Sequence, residues 1–335
     1  MKFGVFDHMD DSGAPLDQQF EERLELVEAY DRLGFCAYHL AEHHGTPLGL
    51  APSPGIFMAA VSQRTRRLRF GPLVYSLPLY HPIRLIEEIC MLDQLSGGRL
   101  ELGVGRGVSP IEVGFYGVDP QAGSRQFPEA LRLIKRGLTV DELTFSGEFY
   151  HFEKVPMVLR TVQKPYPPLW YGVTSPETTH WAALEDAHMV TLLPTDGARA
   201  VIDRFKSEWA GMGKPEQRLP LRGVMRLVVL ADTDDEALRT AERAYATWLG
   251  HMRFLWDEHG MEFPLPLPPV VGPMLEVGAA FAGTAAGLRD FVADHVEAIG
   301  ANYLSCDVAF GDMTFSEAMR TTELIGREVI PAFAE

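Results

Sequence analysis

The sequence predicts a (β/α)8 TIM barrel, an α/β fold, because strand-like and helix-like segments alternate eight times along the chain. Short apolar segments with strand character lie at 2–6, 35–41, 68–75, 99–104, 169–173, 188–193, 221–230 and 301–308. Segments with helical periodicity lie at 17–33, 56–64, 82–95, 125–142, 176–187, 197–211, 234–250 and 314–330. Parallel strands with right-handed crossovers and this number of units close into a barrel, whereas an open doubly wound sheet usually has fewer repeats.

The 335 residues are enough for two domains, but the unbroken alternation predicts a single domain over residues 1–335. Two stretches are longer than ordinary connections, and we expect both as loop insertions at the C-terminal face of the barrel. The first, 107–124, is spaced by glycines and prolines. The second, 257–284, contains the run FPLPLPP, through which a helix cannot continue. For the second stretch, an active-site lid and a static surface excursion both remain open.

Composition and charge exclude several classes of function. Lys and Arg total 30 against 46 Asp and Glu, and the net charge of −16 argues against nucleic acid or an acidic membrane as partner. No run of about 18 apolar residues occurs, and the N-terminus lacks the apolar region of a signal peptide. The cysteines Cys36, Cys90 and Cys306 are far apart and odd in number, which indicates buried thiols in a reducing compartment. We therefore expect a cytoplasmic protein that does not span a membrane.

Three histidines and a carboxylate occur within six residues, at His39, Glu42, His43 and His44. His39, Glu42 and His43 match the spacing of an inverted zinc-protease motif, which requires a helix. This segment instead has the character of the end of the second strand, followed closely by a glycine and a proline. Histidines that act in acid–base catalysis or bind substrate are therefore favoured over metal ligands. A metal-dependent hydrolase that uses His39, Glu42 and His43 remains an alternative, as does a structural pair of hydrogen-bonded histidines.

A candidate phosphate site follows the fourth and fifth predicted strands. Arg106 follows the fourth strand among glycines, where a backbone can approach a ligand closely and a guanidinium can bind phosphate through two hydrogen bonds. Ser175 follows the fifth strand and, with Pro176, has the pattern of a capped helix N-terminus, which attracts anions. Neighbouring strands would bring Arg106 and Ser175 to one phosphate. An ordinary capped helix also explains Ser175, and Glu177 would lie close to any phosphate bound there.

Six stretches of the chain carry a further signal through their order and spacing. They are MKFG at 1–4, AEHH at 41–44, LPLYHPIR at 77–84, residues 92–107, QKPYPP at 163–168 and residues 175–183. Together they resemble the bacterial luciferase-like flavin-dependent monooxygenases over essentially the whole chain. The resemblance implies an oxidoreductase that takes reduced FMN from a separate flavin reductase, adds O2 to form a flavin hydroperoxide, and oxidises a small, apolar organic substrate. It also implies a homodimer, and a deazaflavin-dependent oxidoreductase of the same superfamily remains an alternative.

The resemblance also implies roles for individual residues. His43 matches the family's catalytic histidine, and His44 is its neighbour. The positions that match cofactor contacts are Leu73, Val74, Arg106, Thr174, Ser175 and Thr178. Of these, Arg106, Ser175 and Thr178 match phosphate contacts, and Thr174 offers its backbone. The dipeptide Leu73-Val74 falls where the family often has a non-prolyl cis peptide beneath the flavin ring.

Three more residues are expected to line the substrate pocket, namely His8, Glu42 and His81. One position departs from luciferase itself, because Gly105 stands where luciferase carries a reactive cysteine. This departure leaves the chemistry of the family in place but argues against a light-emitting subunit.

Overall fold

The computed structural model describes residues 1–107 and 109–333. The strands are β1 (Lys2–Asp7), β2 (Ala37–Leu40), β3 (Arg69–Pro72), β4 (Tyr75–Ser76), β5 (Leu102–Gly105), β6 (Glu142–Ser146), β7 (His151–Pro156), β8 (Leu169–Gly172), β9 (His188–Thr191), β10 (Arg222–Leu230), β11 (Ala280–Gly283) and β12 (Tyr303–Asp307). The α-helices are α1 (Leu16–Leu33), α2 (Pro54–Arg64), α3 (Pro82–Ser96), α4 (Pro110–Phe115), α5 (Pro120–Gly137), α6 (Thr179–Leu184), α7 (Thr195–Gly211), α8 (Asp234–Glu258), α9 (Gly272–Glu276), α10 (Ala285–Phe291) and α11 (Phe315–Leu324).

Nine parallel strands form a nearly closed barrel with eight positions around it. Hydrogen-bonded neighbours follow the order β3-β2-β1-β12-β10-β9-β8-β5-β4, and β3 and β4 are consecutive segments that share one position. The circle closes because β4 pairs with β5, and because Phe70 of β3 forms a parallel bridge with Leu100 just before β5. Each of the eight strands predicted from the sequence overlaps one of these positions. The predicted barrel is therefore confirmed.

The strands are buried on both faces, as expected for parallel strands covered by helices. Every residue of β1 and β10 after the first is buried. Inside the barrel, Phe6, Trp170, Met225 and Tyr303 come from four different strands and pack together. Gly4 is required beside them, because an added Cβ would lie 1.8 Å from Tyr303 Oη. The interior is thus a filled core, and a ligand site must lie at an end of the barrel.

The stretch 107–124, expected as a loop, instead contains α4 and the beginning of α5. Ser109 Oγ accepts a hydrogen bond from Glu112 N (3.2 Å), and Asp119 Oδ1 accepts one from Gln121 N (2.9 Å). Each helix therefore has a side-chain cap, and a proline follows each cap at the first helical position, where its missing N–H is not needed. The loop prediction is wrong here because prolines at this position look like loop signals in the sequence.

Two further features lie outside the predicted alternation. Strands β6 and β7 form an antiparallel hairpin between α5 and β8, and β11 pairs with β10 beyond the barrel order. Within 257–284, Met274 and Leu275 of α9 pack on the apolar cluster around Trp248 of α8. Tyr245 Oη of α8 also donates a hydrogen bond to Pro268 O (2.8 Å). The later part of this insertion is therefore anchored on α8, and its role as a lid stays a prediction.

The three cysteines are at least partly buried in the fold. Cys36 is partly buried and Cys90 and Cys306 are buried, and all three are free thiols. Burial raises the pKa of Cys36 to about 12 and that of Cys90 to about 11.

Across residues 1–107 and 109–333, no helix combines the length and the apolar character needed to cross a bilayer.

Candidate active site

The carboxyl ends of the barrel strands bring four histidines onto four carboxylates, a group we call the histidine–carboxylate cluster. The pairs are His8 Nδ1–Asp307 Oδ2 (3.2 Å), His43 Nδ1–Glu112 Oε1 (3.2 Å), His44 Nε2–Glu42 Oε1 (2.9 Å) and His251 Nδ1–Asp10 Oδ1 (2.5 Å). His8 follows β1, Asp307 ends β12, and residues 42–44 follow β2. Active sites of barrels of this kind lie at this end, so the cluster is the candidate catalytic centre.

Glu42 is buried and uses both carboxylate oxygens within the fold. Its Oε1 pairs with His44, and its Oε2 accepts hydrogen bonds from Ser76 N (3.1 Å) and Tyr80 Oη (3.0 Å). These bonds tie the segment after β2 to the segment that includes β4. Glu42 therefore holds His44 in place, and a contact between Glu42 and substrate stays a prediction.

Glu112, which the sequence analysis does not single out, contacts both neighbouring histidines. Its Oε1 pairs with His43, and its Oε2 accepts a hydrogen bond from His44 N (2.9 Å). Glu112 lies 69 residues from His43 along the chain, so the spacing of the histidines gives no hint of it. A local signal exists only in the capping pattern, a serine at 109 followed three residues later by a glutamate, which marks the start of a helix.

His43 and His44 differ in how many ring nitrogens are engaged. His44 uses both, Nε2 toward Glu42 and Nδ1 toward Tyr116 Oη at 2.8 Å. His43 uses Nδ1 toward Glu112, and its Nε2 has no hydrogen-bond partner in the described part of the chain. A proton-transfer residue needs a nitrogen within reach of a ligand. His43 therefore fits an acid–base role, whereas His44 fits a positioning role.

The electrostatic surroundings of His43 favour its charged form. Burial lowers the pKa of the His43 imidazole, but the hydrogen bond with Glu112 and the negative charges of Glu112, Glu42 and Asp10 outweigh burial and raise the pKa overall. A raised pKa keeps the imidazolium populated further into the neutral range. The His43 imidazolium can thus donate a proton through Nε2, the ring nitrogen that has no hydrogen-bond partner in the described residues.

His8 lies directly against His43. The two rings stack with centroids 5.8 Å apart and an angle of 28° between their planes. Phe6 packs edge-on against the His8 ring, with centroids 4.8 Å apart. Burial raises the pKa of its partner Asp307, and the hydrogen bond and charge of His8 lower that pKa in part. The structure therefore brings two carboxylate-anchored imidazoles face to face.

His39 lies apart from this cluster, inside the barrel. Its ring packs against Trp170 with centroids 4.6 Å apart, and neither ring nitrogen has a hydrogen-bond partner among residues 1–107 and 109–333. Burial and the nearby His188 lower the pKa of His39 to about 3, so this ring is neutral at neutral pH. Within the described residues, no group of three or more His, Cys, Asp or Glu side chains is arranged to hold a metal ion. The alternative of a metal-dependent hydrolase built on His39, Glu42 and His43 is therefore not supported.

A second group, which we call the β5–β8 edge, consists of Arg106, Thr174, Ser175 and Thr178. It forms because β5 and β8 are paired neighbours in the barrel. Arg106 is exposed directly after β5, and its charge partly offsets the burial that raises the pKa of Tyr171 in β8. Thr174 is exposed, and Thr178 Oγ1 donates a hydrogen bond to Ser175 O (2.8 Å). The edge thus presents a guanidinium and hydroxyl groups at the barrel mouth.

The helix after β8 differs from the capped helix that the sequence predicts. It begins with a 3-10 turn at Pro176–Thr178 and continues as the six-residue α6, and the Ser175 side chain makes no capping hydrogen bond. The Ser175 hydroxyl instead lies near Glu177 and lowers the pKa of that carboxyl. A helix this short and irregular has a weak dipole. Any anion bound at this edge would therefore have to be held chiefly by Arg106 and the hydroxyl groups.

The peptide between Leu73 and Val74 is a non-prolyl cis bond, and it separates β3 from β4. Around the barrel, this position lies between β2, which leads to the cluster, and β5, which leads to the β5–β8 edge. Val74 packs beside Gly105, where an added Cβ would lie 2.5 Å from Val74 Cγ2. A cysteine at 105, as in luciferase, therefore does not fit here unless Val74 moves.

His81 is placed away from the histidine–carboxylate cluster. It is exposed just before α3, and its ring meets Phe152 of the β6–β7 hairpin edge-on at 5.6 Å. Its neighbour Tyr80 is the residue that reaches the cluster, through Glu42. A contact between His81 and substrate stays a prediction, and the hairpin that holds its ring was not predicted from the sequence.

The family model described as luciferase-like monooxygenase matches residues 1–300 of the chain. The chain belongs to this family. The luciferase-like monooxygenase is 41% identical to the uncharacterised protein y4wF of Sinorhizobium fredii, over 98% of this chain and 96% of that protein. It is 26% identical to the oxygenase component of a flavin-dependent trigonelline monooxygenase from Acinetobacter baylyi, over 100% of this chain and 96% of that protein. The chain is accordingly an oxidoreductase of the flavin-dependent monooxygenase family.

Solved structures share the fold of this luciferase-like monooxygenase. Monooxygenase RslO1 from Streptomyces bottropensis gives a TM-score of 0.89 at 25% identity, with 100% of both chains covered. The oxygenating constituent of 3,6-diketocamphane monooxygenase from Pseudomonas putida, a type II Baeyer-Villiger monooxygenase solved with FMN, gives 0.83 at 18% identity over 100% and 99% of the chains. A coenzyme F420-dependent tetrahydromethanopterin reductase from Methanopyrus kandleri gives 0.73 at 17% identity over 99% of each chain. The last two likenesses show the fold alone.

Proposed function

We propose that this chain is the oxygenase component of a two-component FMN-dependent monooxygenase. A separate flavin reductase supplies reduced FMN, and the chain uses it with O2 to oxidise a small, apolar organic substrate. The observation that carries the proposal is that His43, anchored by Glu112, shares one barrel end with the exposed guanidinium of Arg106. The trigonelline relative, which is named as an oxygenase component, supports a separate reductase.

The residues at the barrel mouth fit FMN. The β5–β8 edge would hold the phosphate, chiefly through charge-assisted hydrogen bonds from Arg106. Leu73 and Val74 lie between this edge and the histidine–carboxylate cluster, where a flat ring system would rest against them. Gly105 leaves the space beside Val74 free of a further side chain. The phosphate end and the ring end of a flavin nucleotide therefore have separate positions.

When bound, reduced FMN would supply two of the four electrons that the reduction of both oxygen atoms of O2 requires, and the substrate supplies the other two. Substrate, O2 and FMNH2 together give the oxygenated substrate, water and FMN, so the overall reaction takes up no net proton. One oxygen atom must nevertheless receive a proton before it leaves as water, and that proton must be recovered in each cycle. The open Nε2 of His43 can give and recover it, because Glu112 stabilises the imidazolium from the other side.

An open depression beside α4 supports an apolar substrate. It has a volume of about 330 Å³ and is lined by Pro110, Ile111, Gly114, Phe115, His259 and Met261. The same helix carries Glu112 on the side that faces His43 and His44. Since most of these lining side chains are apolar, a molecule that binds in this depression beside α4 would itself be largely apolar.

The experiment that tests the function is an anaerobic titration of the purified chain with reduced FMN, followed by mixing with O2. We expect reduced FMN to quench tryptophan fluorescence with saturation, and the bound flavin to reoxidise with a rate that differs from that of free flavin. The same titration with reduced coenzyme F420 tests the deazaflavin alternative. Saturable binding of F420 without binding of reduced FMN would overturn the proposal in favour of the deazaflavin alternative.

We also propose that the chain forms a homodimer through α2 and α3. Ile56 of α2 is 77% exposed, and Met91 and Leu95 of α3 are 55% and 51% exposed. A second copy of the chain would remove these apolar side chains from water. Sedimentation should show a dimer for the wild type and for Leu238→Glu, which changes an exposed leucine on α8, but a monomer for Met91→Glu. A wild-type monomer would overturn the proposed dimer.

A further inference from the structure

We propose that His8, anchored by Asp307, is a second proton-transfer residue of this site, and that His8 and His43 hold one proton between them. The role of His8 in the reaction rests on the proposed function. The structural part of the proposal is that only one of the two stacked imidazoles carries the extra proton at a time. This part concerns the chain alone and can be tested without a flavin.

His8 and His43 are built in the same way from neighbouring strands. β1 pairs with β2, with Asp7 opposite Leu40, so the residues that follow the two strands come side by side. Each imidazole contacts a buried or nearly buried carboxylate through Nδ1 at 3.2 Å, Asp307 for His8 and Glu112 for His43. A carboxylate on Nδ1 fixes the ring and leaves Nε2 as the atom that exchanges a proton.

The two Nε2 atoms distinguish this pair from His44, the other histidine after β2, and from His39 inside the barrel. In the described residues, neither Nε2 has a hydrogen-bond partner, and neither is among the unpartnered polar atoms that are sealed from solvent. His44 has both nitrogens engaged by Glu42 and Tyr116. His39 has two unpartnered nitrogens, but they are enclosed in the barrel. His251 shares an anchored Nδ1, but among the described histidines only His8 and His43 combine an anchored Nδ1 and a solvent-accessible Nε2 with a stacked neighbouring imidazole.

The charges around the pair favour a single proton. The groups that face it are Asp7 and Asp10 near β1, Arg23 of α1 on Asp7, Glu42 and His44 after β2, Glu112 of α4, Asp307 of β12 and His251 of α8 on Asp10. The carboxylates attract one proton to the rings. Two imidazolium charges 5.8 Å apart repel each other, which at an effective dielectric constant of about 20 lowers the second pKa by about 2 pH units.

A pair with one proton suits the proposed reaction. The charged ring would donate its Nε2 proton to the oxygen atom that leaves as water, and the neutral ring would accept at Nε2 one of the two protons that reduced FMN gives up in the overall reaction. The pair ends the cycle with the single proton it began with. Proton donation and recovery therefore need no exchange with bulk water while the site is occupied.

Nitrogen-15 NMR titration of the flavin-free chain tests the shared proton, with the signals assigned by His8→Gln and His43→Gln. In the wild type we expect one of the two imidazoles to titrate at least one pH unit below the other. Removing the partner should raise the pKa of that lower-titrating ring by about 2 pH units. His180→Gln is the matched control, because His180 pairs through Nδ1 with Glu208 in an exposed position. Unchanged titration of each ring after loss of its partner overturns the proposal.

A second readout tests the role of His8 once reduced FMN is bound. His8→Gln should bind reduced FMN as the wild type does and should change the pH dependence of flavin reoxidation by O2. His180→Gln should reproduce the wild-type profile. A His8→Gln profile that superimposes on that of the wild type would exclude His8 from proton transfer. Failure of the wild type to bind reduced FMN would overturn the proposed function, but it would leave the NMR result standing.

Discussion

The two halves of the barrel mouth are built in opposite ways. In the histidine–carboxylate cluster, side chains from β1, β2, α4 and β12 are largely buried and bonded to one another before any ligand arrives. At the β5–β8 edge, Arg106 and Thr174 are exposed, and Ser175 does not even cap its own helix. If the proposed function holds, the fold positions the reactive groups in advance, whereas the groups that would bind the FMN phosphate stay exposed to solvent.

The largest expected effect comes from breaking the cluster without touching the edge. His43→Gln should slow reoxidation of bound reduced FMN by about 100-fold or more, because a positioned general acid or base contributes about 10²–10⁴ in rate. The Kd for reduced FMN should stay within about twofold, since His43 does not belong to the phosphate edge. Stopped-flow absorbance with protein in excess measures the rate, and His180→Gln is the control. A rate equal to that of the wild type would remove His43 from the mechanism.

The complementary substitution changes the β5–β8 edge and leaves the histidine–carboxylate cluster intact. Arg106→Ala should weaken binding of reduced FMN by about 10- to 100-fold, because a hydrogen bond to a charged group contributes about 1.5–3 kcal/mol. Reduced riboflavin, which lacks the phosphate, should bind wild type and Arg106→Ala equally. Anaerobic titrations of both ligands against both proteins measure this. Equal losses for FMN and riboflavin would show that Arg106 does not bind the phosphate.

The cluster should also give the fold a pH-dependent stability that the edge does not. The folded pKa of His43 is raised, so its pairing with Glu112 stabilises the fold fully below the unfolded value of about 6.5 and is lost as pH rises through the folded pKa. Glu112→Gln should therefore lower Tm by about 2–4 °C at pH 5.5 and by less at pH 9. Differential scanning calorimetry measures the shift, with Glu148→Gln as an exposed control. A Tm difference that grows with pH would contradict the assigned sign.

The smallest expected effect concerns Glu177, a carboxylate next to the β5–β8 edge. Glu177 lies beside Ser175, and its negative charge opposes a bound phosphate. Glu177→Gln should tighten reduced FMN by about two- to threefold at low salt, and the gain should shrink at high salt. Reduced riboflavin should show no such gain. Weaker FMN binding in Glu177→Gln would mean that this carboxylate supports the site instead of opposing the phosphate.

The sequence predicts the edge better than the cluster, and the reason is the range of the contacts. The edge requires only that two consecutive barrel strands be neighbours, which brings Arg106 and Ser175 together once the strand order is known. Glu112 and Asp307 reach their histidines across 69 and 299 residues, so no local spacing reveals them. The wrong loop assignment at 107–124 also concealed α4, the helix that carries Glu112.

Two local details were likewise beyond the sequence. Ser175 has the pattern of a helix cap, but the chain enters a 3-10 turn there, and the hydroxyl turns toward Glu177. His81 is close in sequence to Tyr80, which reaches Glu42, yet the β6–β7 hairpin holds the His81 ring against Phe152. At Ser175 a local contact with a side chain two residues away replaces the expected cap, whereas at His81 a long-range contact decides where the ring lies.

The most direct test of the account combines the two halves of the mouth in one double variant, Arg106→Ala with His43→Gln. Independent regions give additive free energies, whereas a shared site gives coupled ones. We expect the double variant to bind reduced FMN as weakly as Arg106→Ala alone and, at saturating FMN, to reoxidise it as slowly as His43→Gln alone. A His43→Gln substitution that weakens FMN further, or an Arg106→Ala substitution that slows the saturated reaction further, would contradict the division between binding and chemistry.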